Sequence, residues 1–124
     1  MLFRSDVANL TDSAAADTFR STSAYSFLGS NTGSYLNLAI GFTTYNATGS
    51  SSTGNDTADL YDSPGNDTFT QGVPNADGGT LATPAYTVNI SRFGTVRTTS
   101  SLGGTDALVL GTINYNFSKV GPWL

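Results

Sequence analysis

The chain has 124 residues with nine acidic and five basic side chains, a net charge of −4, and neither cysteine nor histidine. This length supports one domain at most, and the composition excludes a disulfide framework and the His- or Cys-based sites of most enzymes and transition-metal proteins. The sparse basic residues argue against a nucleic-acid partner, and no apolar run approaches the roughly 18 residues of a membrane span.

A motif near the N-terminus occurs a second time, and the rest of the chain is organised around it. Residues 6–19 (DVANLTDSAAADTF) and 56–69 (DTADLYDSPGNDTF) agree at eight of fourteen positions, at an offset of 50 residues, and a decayed third copy starts at Asp106. A period of this length is typical of stacked repeat architectures. We therefore divide a single all-β domain into repeat 1 (about 6–55), repeat 2 (about 56–105) and a partial repeat 3 (about 106–124).

Apolar and polar residues alternate along most of the chain, and no window repeats at helical spacing, so the pattern predicts an all-β fold. The predicted strands, in chain order, lie near residues 7–11, 17–20, 24–28, 35–45, 57–61, 67–71, 80–83, 86–90, 94–99, 107–111 and 113–120. Clusters of Gly, Pro, Asn and Asp separate them. In the fourth predicted strand Leu36, Leu38, Ile40 and Phe42 share one face, which is expected to be buried.

Two architectures fit this pattern. The repeat favours a parallel β-solenoid, or β-helix, in which equivalent residues of successive repeats stack in columns. One expected column, at a turn, consists of Asp6, Asp56 and Asp106. A second expected column, inside the core, consists of Leu10, Leu60 and Leu110. The alternative is a β-sandwich completed by a strand donated from a neighbouring subunit.

The repeated motif, Asp-x-Ala-x-Leu-Tyr-Asp-Ser-x-Gly-x-Asp-Thr-Phe in repeat 2, resembles the tandem repeats of large secreted and surface proteins of aquatic bacteria. The resemblance covers residues 6 to about 110 and implies an extracellular part that is adhesive or fibre-like. That family supplies no catalytic residue that we can transfer to this chain.

Residues 65–69 (GNDTF) also resemble the calcium-binding unit of repeats-in-toxin proteins, which reads GGxGxDxUx. This second resemblance implies a calcium site at Asp62 and Asp67. The interpretation that we prefer is that these aspartates cap turns through side-chain hydrogen bonds, so that no cofactor is expected and calcium is the less favoured alternative.

Six asparagines lie in Asn-x-Ser/Thr sequons, more than the composition alone explains. They are Asn9, Asn46, Asn55, Asn66, Asn89 and Asn116. Their positions on predicted wet strand faces and in turns would accept a bulky glycan, so we expect a chain with covalent glycans. The alternative is that sequons arise as a by-product of a composition rich in Asn, Ser and Thr.

No enzyme is expected. The remaining acid–base candidates are carboxylate pairs, Asp59 with Asp62 or Asp62 with Asp67, and a catalytic pair need not recur with a structural period. We expect a structural subunit of an extracellular, N-glycosylated fibre or surface layer that assembles head-to-tail with copies of itself by β-strand addition. The alternative is a calcium-stabilised adhesive or carbohydrate-binding module of a larger surface protein.

The head-to-tail contact is expected to use strands at both ends of the chain. Its expected residues are Val7, Leu10, Ile113, Tyr115, Phe117 and Trp123. Of these, Trp123 is expected to be exposed in a single subunit, because it follows the last strand within a Gly-Pro turn.

Overall fold

A computed structural model describes residues 6–50 and 55–124, and the described residues form twelve β-strands and no helix. The strands are β1 (Val7–Thr11), β2 (Asp17–Ser21), β3 (Ser26–Ser30), β4 (Leu36–Ala39), β5 (Thr44–Thr48), β6 (Thr57–Tyr61), β7 (Thr68–Gln71), β8 (Gly78–Ala82), β9 (Thr87–Ser91), β10 (Thr95–Thr99), β11 (Ala107–Val109) and β12 (Asn116–Val120). The predicted all-β class is confirmed. Within the described ranges no helix is long and apolar enough to cross a membrane.

The strands form two mixed six-stranded sheets, neither of which closes on itself. Sheet A has the order β1-β5-β9-β8-β7-β11, and sheet B has the order β12-β10-β6-β2-β3-β4. Antiparallel pairs occur only within two meanders, β2-β3-β4 in sheet B and β7-β8-β9 in sheet A. All other neighbours are parallel, so the pairing is neither wholly parallel, as in a solenoid, nor wholly antiparallel.

The hydrophobic core lies between the two sheets, because the strands alternate inward apolar and outward polar side chains. Phe69 in sheet A stacks on Phe117 in sheet B, with ring centroids 5.6 Å apart. Leu60, Phe69 and Phe19 are fully buried and Leu10 is nearly so, which confirms the predicted core positions of both motifs.

Successive repeats begin in opposite sheets. β1 and β11 belong to sheet A, whereas the equivalent β6 belongs to sheet B. The chain passes between the sheets three times in each full repeat, and because three is odd, every repeat is turned over relative to the one before. The predicted columns are therefore wrong: Leu10 and Leu60 enter the core from opposite sheets, and Leu110 is exposed. Asp6, Asp56 and Asp106 start strands in alternate sheets and do not stack.

The fourth predicted strand is two strands, β4 and β5, on either side of Gly41. Gly41 has a φ of 83°, a conformation that residues with a Cβ rarely adopt, so the chain turns there and β5 crosses to the other sheet. β4 is the edge strand of sheet B, and Leu36, Leu38 and Ile40 are each more than half exposed. The expectation that they are buried is wrong, because Leu38 lies opposite Phe27 and Phe27 lies opposite Arg20, so that this side of β4 belongs to the outer face of sheet B and not to the core.

Repeat 3 is shorter than the other two. β12 pairs with β10 in the same way that β9 pairs with β5. Both pairs are parallel, and in each pair the first residue of one strand lies opposite the first residue of the other. β12 thus takes the place of the fourth strand of a repeat. Repeat 3, all of which the structure describes, contains no counterpart of the second and third strands.

The last residues of the chain are held against β11. The Leu124 N–H donates to the Asp106 carbonyl at 2.9 Å, and the Leu108 N–H donates to the Leu124 carbonyl at 2.8 Å. The neighbouring Trp123 is consequently buried in the core, and the expectation that it is exposed is wrong.

Candidate functional site

Two groups of three aspartates lie where one repeat meets the next. Cluster 1 consists of Asp12, Asp17 and Asp56, and cluster 2 consists of Asp62, Asp67 and Asp106. Within each cluster, one carboxylate oxygen per residue lies within 4.8 Å of the others. The clusters correspond member by member at the 50-residue offset. In each, two members flank the loop between the first and second strands of one repeat, and the third precedes the first strand of the next repeat.

A serine of the motif holds the middle aspartate of each cluster. Both the N–H and the Oγ–H of Ser63 donate to the Asp67 carboxylate, the latter at 2.7 Å. Ser13 donates to Asp17 in the same way, at 2.6 Å from its N–H and 2.9 Å from its Oγ–H. The predicted turn capping by Asp67 is therefore observed, and it closes the loop so that the first two carboxylates of the cluster face each other.

The third aspartate joins the cluster through a contact between repeats. The Asp17 N–H donates to Asp56 Oδ1, and the Asp67 N–H donates to Asp106 Oδ1, both at 3.0 Å over a separation of 39 residues. A serine hydroxyl from the loop before each third aspartate donates to its other oxygen at 2.6 Å in both clusters. The first aspartate of one motif is thus built into the loop of the motif before it.

Neutral donors surround the cluster carboxylates. The Ser101 and Leu102 N–H groups donate to Asp62 Oδ2 at 2.9 and 2.7 Å. None of the six cluster aspartates forms an ion pair with a described residue. Arg20 and Arg97 both bind Asp59 on the outer face of sheet B, and Arg92 and Lys119 donate to backbone carbonyls. Each cluster therefore concentrates negative charge without a basic partner in the described part of the chain.

Burial and mutual repulsion change the acidity of these groups. Burial, followed by the hydrogen bond and negative charge of Asp56, raises the pKa of Asp12 to about 7. Burial alone would raise the pKa of Asp56, but hydrogen bonds from Asp12 and from a serine hydroxyl hold it below its ordinary value. Burial also raises the pKa of Asp67, where hydrogen bonds from Ser63 oppose the increase. These carboxylates need either protons or a cation to share the same space.

A tyrosine lies beside each cluster. The Tyr35 hydroxyl accepts a hydrogen bond from the Ser13 N–H at 3.1 Å, next to Asp17. Its counterpart Tyr86 is buried, and no described residue forms a hydrogen bond with its hydroxyl. Burial, then the negative charge of Asp67, raises the pKa of Tyr86 far above the ordinary value.

Of the two candidate carboxylate pairs, the fold separates Asp59 from Asp62 and keeps Asp62 with Asp67. Asp59 faces outward under Arg20 and Arg97, whereas Asp62 and Asp67 lie together in cluster 2, whose members are at most 2% exposed. A buried cluster of this kind offers hard oxygen ligands to a cation. No protein-family model, curated protein or solved structure matches this chain.

Three of the predicted glycosylation sites form a ladder on the outer face of sheet A. Asn46 Nδ2 donates to Asn9 Oδ1 at 3.0 Å, and Asn89 Nδ2 donates to Asn46 Oδ1 at 2.9 Å. Neighbouring strands are only about 4.8 Å apart, so a glycan on one of these residues leaves no room for a glycan on the next. The other sequon asparagines, Asn55, Asn66 and Asn116, are exposed.

The predicted assembly residues are divided between edge and core. Val7 is exposed on β1, at the edge of sheet A. Leu10, Tyr115 and Trp123 are buried within the subunit, and Ile113 and Phe117 are partly buried against the core. Most of the exposed large apolar side chains lie at other positions, which the alternating pattern alone did not identify as assembly residues.

Proposed function

We propose that this chain is a structural subunit that stacks end to end with copies of itself and thereby builds an extracellular fibre or surface layer. The observation that carries this proposal is the distribution of exposed apolar side chains. Of the nine large hydrophobic side chains that are exposed among the described residues, eight lie on or beside the four edge strands. Those at the β1 and β4 edges are Val7, Leu36, Leu38 and Ile40. Those at the β11 and β12 edges are Val109, Leu110, Val120 and Leu124.

The four edge strands form two ends of one stack. At one end, β1 of sheet A packs near β3, the neighbour of β4 in sheet B. At the other end, β11 and β12 flank an apolar groove of about 370 Å³, which is lined by Leu108, Leu110, Phe117, Ser118, Lys119 and Leu124. Large exposed apolar areas of this kind mark contact surfaces, and open strand edges accept further strands.

Strand direction supports contact between unlike ends. Following the pairs across each sheet, β11 runs in the same direction as β1, and β12 runs in the same direction as β4. A copy that is shifted along the stack therefore places β1 parallel to β11 and β4 parallel to β12. The equivalent strands inside the subunit also pair in parallel. β6, the counterpart of β1 in repeat 2, pairs parallel with β2, and β9, the counterpart of β4, pairs parallel with β5.

A contact between two different surfaces propagates without closing, so the product is a filament. Each subunit adds six strands to each sheet. At about 4.8 Å per strand, the expected axial repeat is about 29 Å. In this arrangement the polar outer faces of both sheets remain available for solvent and glycans.

A charge at one end should abolish assembly. We expect filaments of wild-type protein with an axial repeat of about 29 Å, visible in negative stain and fibre diffraction. Leu38→Lys should remain folded and monomeric, because Leu38 is an exposed apolar side chain on the outer face of edge strand β4, and a lysine there loses the apolar contact with the β12 end of the next copy. The control is Leu102→Lys, which changes the one exposed large hydrophobic side chain of residues 6–50 and 55–124 that lies outside the two ends, and this variant should assemble normally. Filaments of unchanged repeat from Leu38→Lys would contradict the proposed contact.

The same experiment distinguishes the alternative function. If this chain is a module of a larger adhesive or carbohydrate-binding surface protein, neighbouring repeats of the same polypeptide cover both ends. The isolated chain would then stay monomeric, or aggregate without a regular repeat, in both the wild type and Leu102→Lys.

The glycan coat has its own measurement. Intact-mass analysis of native material should give a mass above that of the polypeptide by whole glycans, with Asn116 and the exposed turn sites Asn55 and Asn66 as the main acceptors. Asn46 has Asn9 and Asn89 as its neighbours in the ladder, and two neighbouring asparagines cannot both carry a glycan. The reason is that neighbouring strands are too close together for two glycans. A native mass equal to that of the bare chain would remove glycosylation from the proposal without affecting the assembly contact.

A further inference from the structure

We propose that each aspartate cluster binds one Ca²⁺ ion, so that a full chain holds two ions, one at each junction between repeats. This inference goes beyond the assembly proposed above, because each cluster is formed by residues of a single subunit. It differs also from the turn-carbonyl site of the repeats-in-toxin unit, because the third carboxylate comes from the following repeat.

The ligand set of each cluster suits calcium. Three carboxylates converge within 4.8 Å in both clusters. Three carboxylates supply up to six oxygens, and Ca²⁺ takes six to eight oxygen ligands in flexible geometry. Mg²⁺ demands strict octahedral geometry and usually retains several waters, which a closed cage does not accommodate. The chain offers no nitrogen or sulfur ligand there, so the site also discriminates against softer metals.

Unpaired polar atoms at the clusters point independently to a ligand. The Asp17 side chain is fully buried, yet no described residue forms a hydrogen bond with its Oδ1. Asp12 Oδ2 is likewise buried, and no described N–H or hydroxyl group donates a hydrogen bond to it. At cluster 2 the unpaired atom is the hydroxyl of Tyr86, a side chain that is more than nine-tenths buried and lies within the field of Asp67 and Asp62. Native proteins rarely leave such groups unsatisfied.

Charge favours occupation by a divalent cation. Three carboxylates in contact carry up to three negative charges, and the donors around them are neutral amides and hydroxyls. Burying such a group of charges is unfavourable unless a cation compensates them. A bound Ca²⁺ leaves one negative charge in each cluster, which the surrounding N–H groups can stabilise.

The described residues provide for two sites, one at each cluster. In repeat 3 the positions equivalent to Asp62 and Asp67 are Thr112 and Phe117, and the loop that would hold a third pair is missing. Asp106 completes cluster 2 but has no partners for a further site in repeat 3. Because each ion would be bound by two repeats at once, its binding stabilises their stacking and couples to folding.

The test uses the full chain after dialysis against a chelator. Calorimetric titration with CaCl₂ should show two sites, and saturation should raise the melting temperature by roughly 10 °C or more at 100 times the dissociation constant. Terbium, which replaces calcium, should show emission sensitised by Tyr35 and Tyr86. Absence of calcium binding at millimolar concentration, or an equal affinity for Mg²⁺, would overturn the proposal.

Substitutions locate the two ions separately. Asp67→Asn and Asp17→Asn should each reduce the stoichiometry from two ions to one, and the double variant should bind none. Asp77→Asn is the matched control, because Asp77 belongs to neither cluster, and it should retain two ions and the full shift in melting temperature. If Asp67→Asn and Asp17→Asn are folded and both retain two ions, the clusters are not the sites. If either variant fails to fold, the wild-type stoichiometry and terbium emission decide the question.

Discussion

Leu60→Ala should lower the free energy of unfolding by about 2–5 kcal/mol, as large-to-small changes in a core do. Leu60 lies in β6, between β2 and β10 in the interior of sheet B, and none of its surface is exposed. Strands on both sides hold the backbone in place, so the cavity cannot collapse. Because small domains are stable by only about 5–15 kcal/mol, the loss should be plain in urea denaturation.

The repeat supplies matched controls for this substitution. Leu10 and Leu110 are the sequence equivalents of Leu60, and their side chains are 8% and 76% exposed, respectively. Leu110→Ala should change stability by no more than about 0.5 kcal/mol. Leu10→Ala should fall between the two, because β1 is an edge strand that can move into the space. Equal losses at all three positions would contradict the alternating arrangement of the repeats.

Gly104→Ala is expected to be comparably destabilising, for a reason that lies in the backbone. Gly104 has a φ of 84°, and a Cβ at this position would lie 2.1 Å from the carbonyl oxygen of Gly65. Left-handed strain and the forced displacement of the β6–β7 loop should together cost about 2–5 kcal/mol. Since that loop carries Asp62 and Asp67, the variant should also bind calcium more weakly at cluster 2.

The preceding residue is the control for Gly104. Gly103 has a φ of 98°, and a Cβ there would meet no atom within 4 Å. Gly103→Ala should therefore cost only the conformational strain, about 1–2 kcal/mol. Chemical denaturation of both variants separates strain from collision, and equal losses would show that contact with the Gly65 carbonyl is not the cause.

Local pattern was sufficient for much of the fold. Strict alternation placed most strands within a few residues of their observed bounds, since the two-residue period of a strand is a property of the backbone itself. The motif likewise identified Phe19 and Phe69 as core residues, because an apolar side chain that follows a capped turn enters the sheet at a fixed point. The sequence also singled out Asp62 and Asp67, which lie together at one loop in the structure.

The sequence alone determined the all-β class, the repeated motif and the pair Asp62 and Asp67, because these depend on neighbours along the chain. Only the tertiary structure decided which strands become neighbours in space. The odd number of crossings in each repeat turns successive repeats over. As a result Asp56 contacts Asp17, which is 39 residues away, and does not stack on its equivalent Asp6, which is 50 residues away. The same path of the chain also aligns Asn9, Asn46 and Asn89 in one ladder. The pairing of β4 with β3 separately places Leu36 and Leu38 on the outer face of sheet B. Such contacts depend on the path of the whole chain, and a local period carries no information about them.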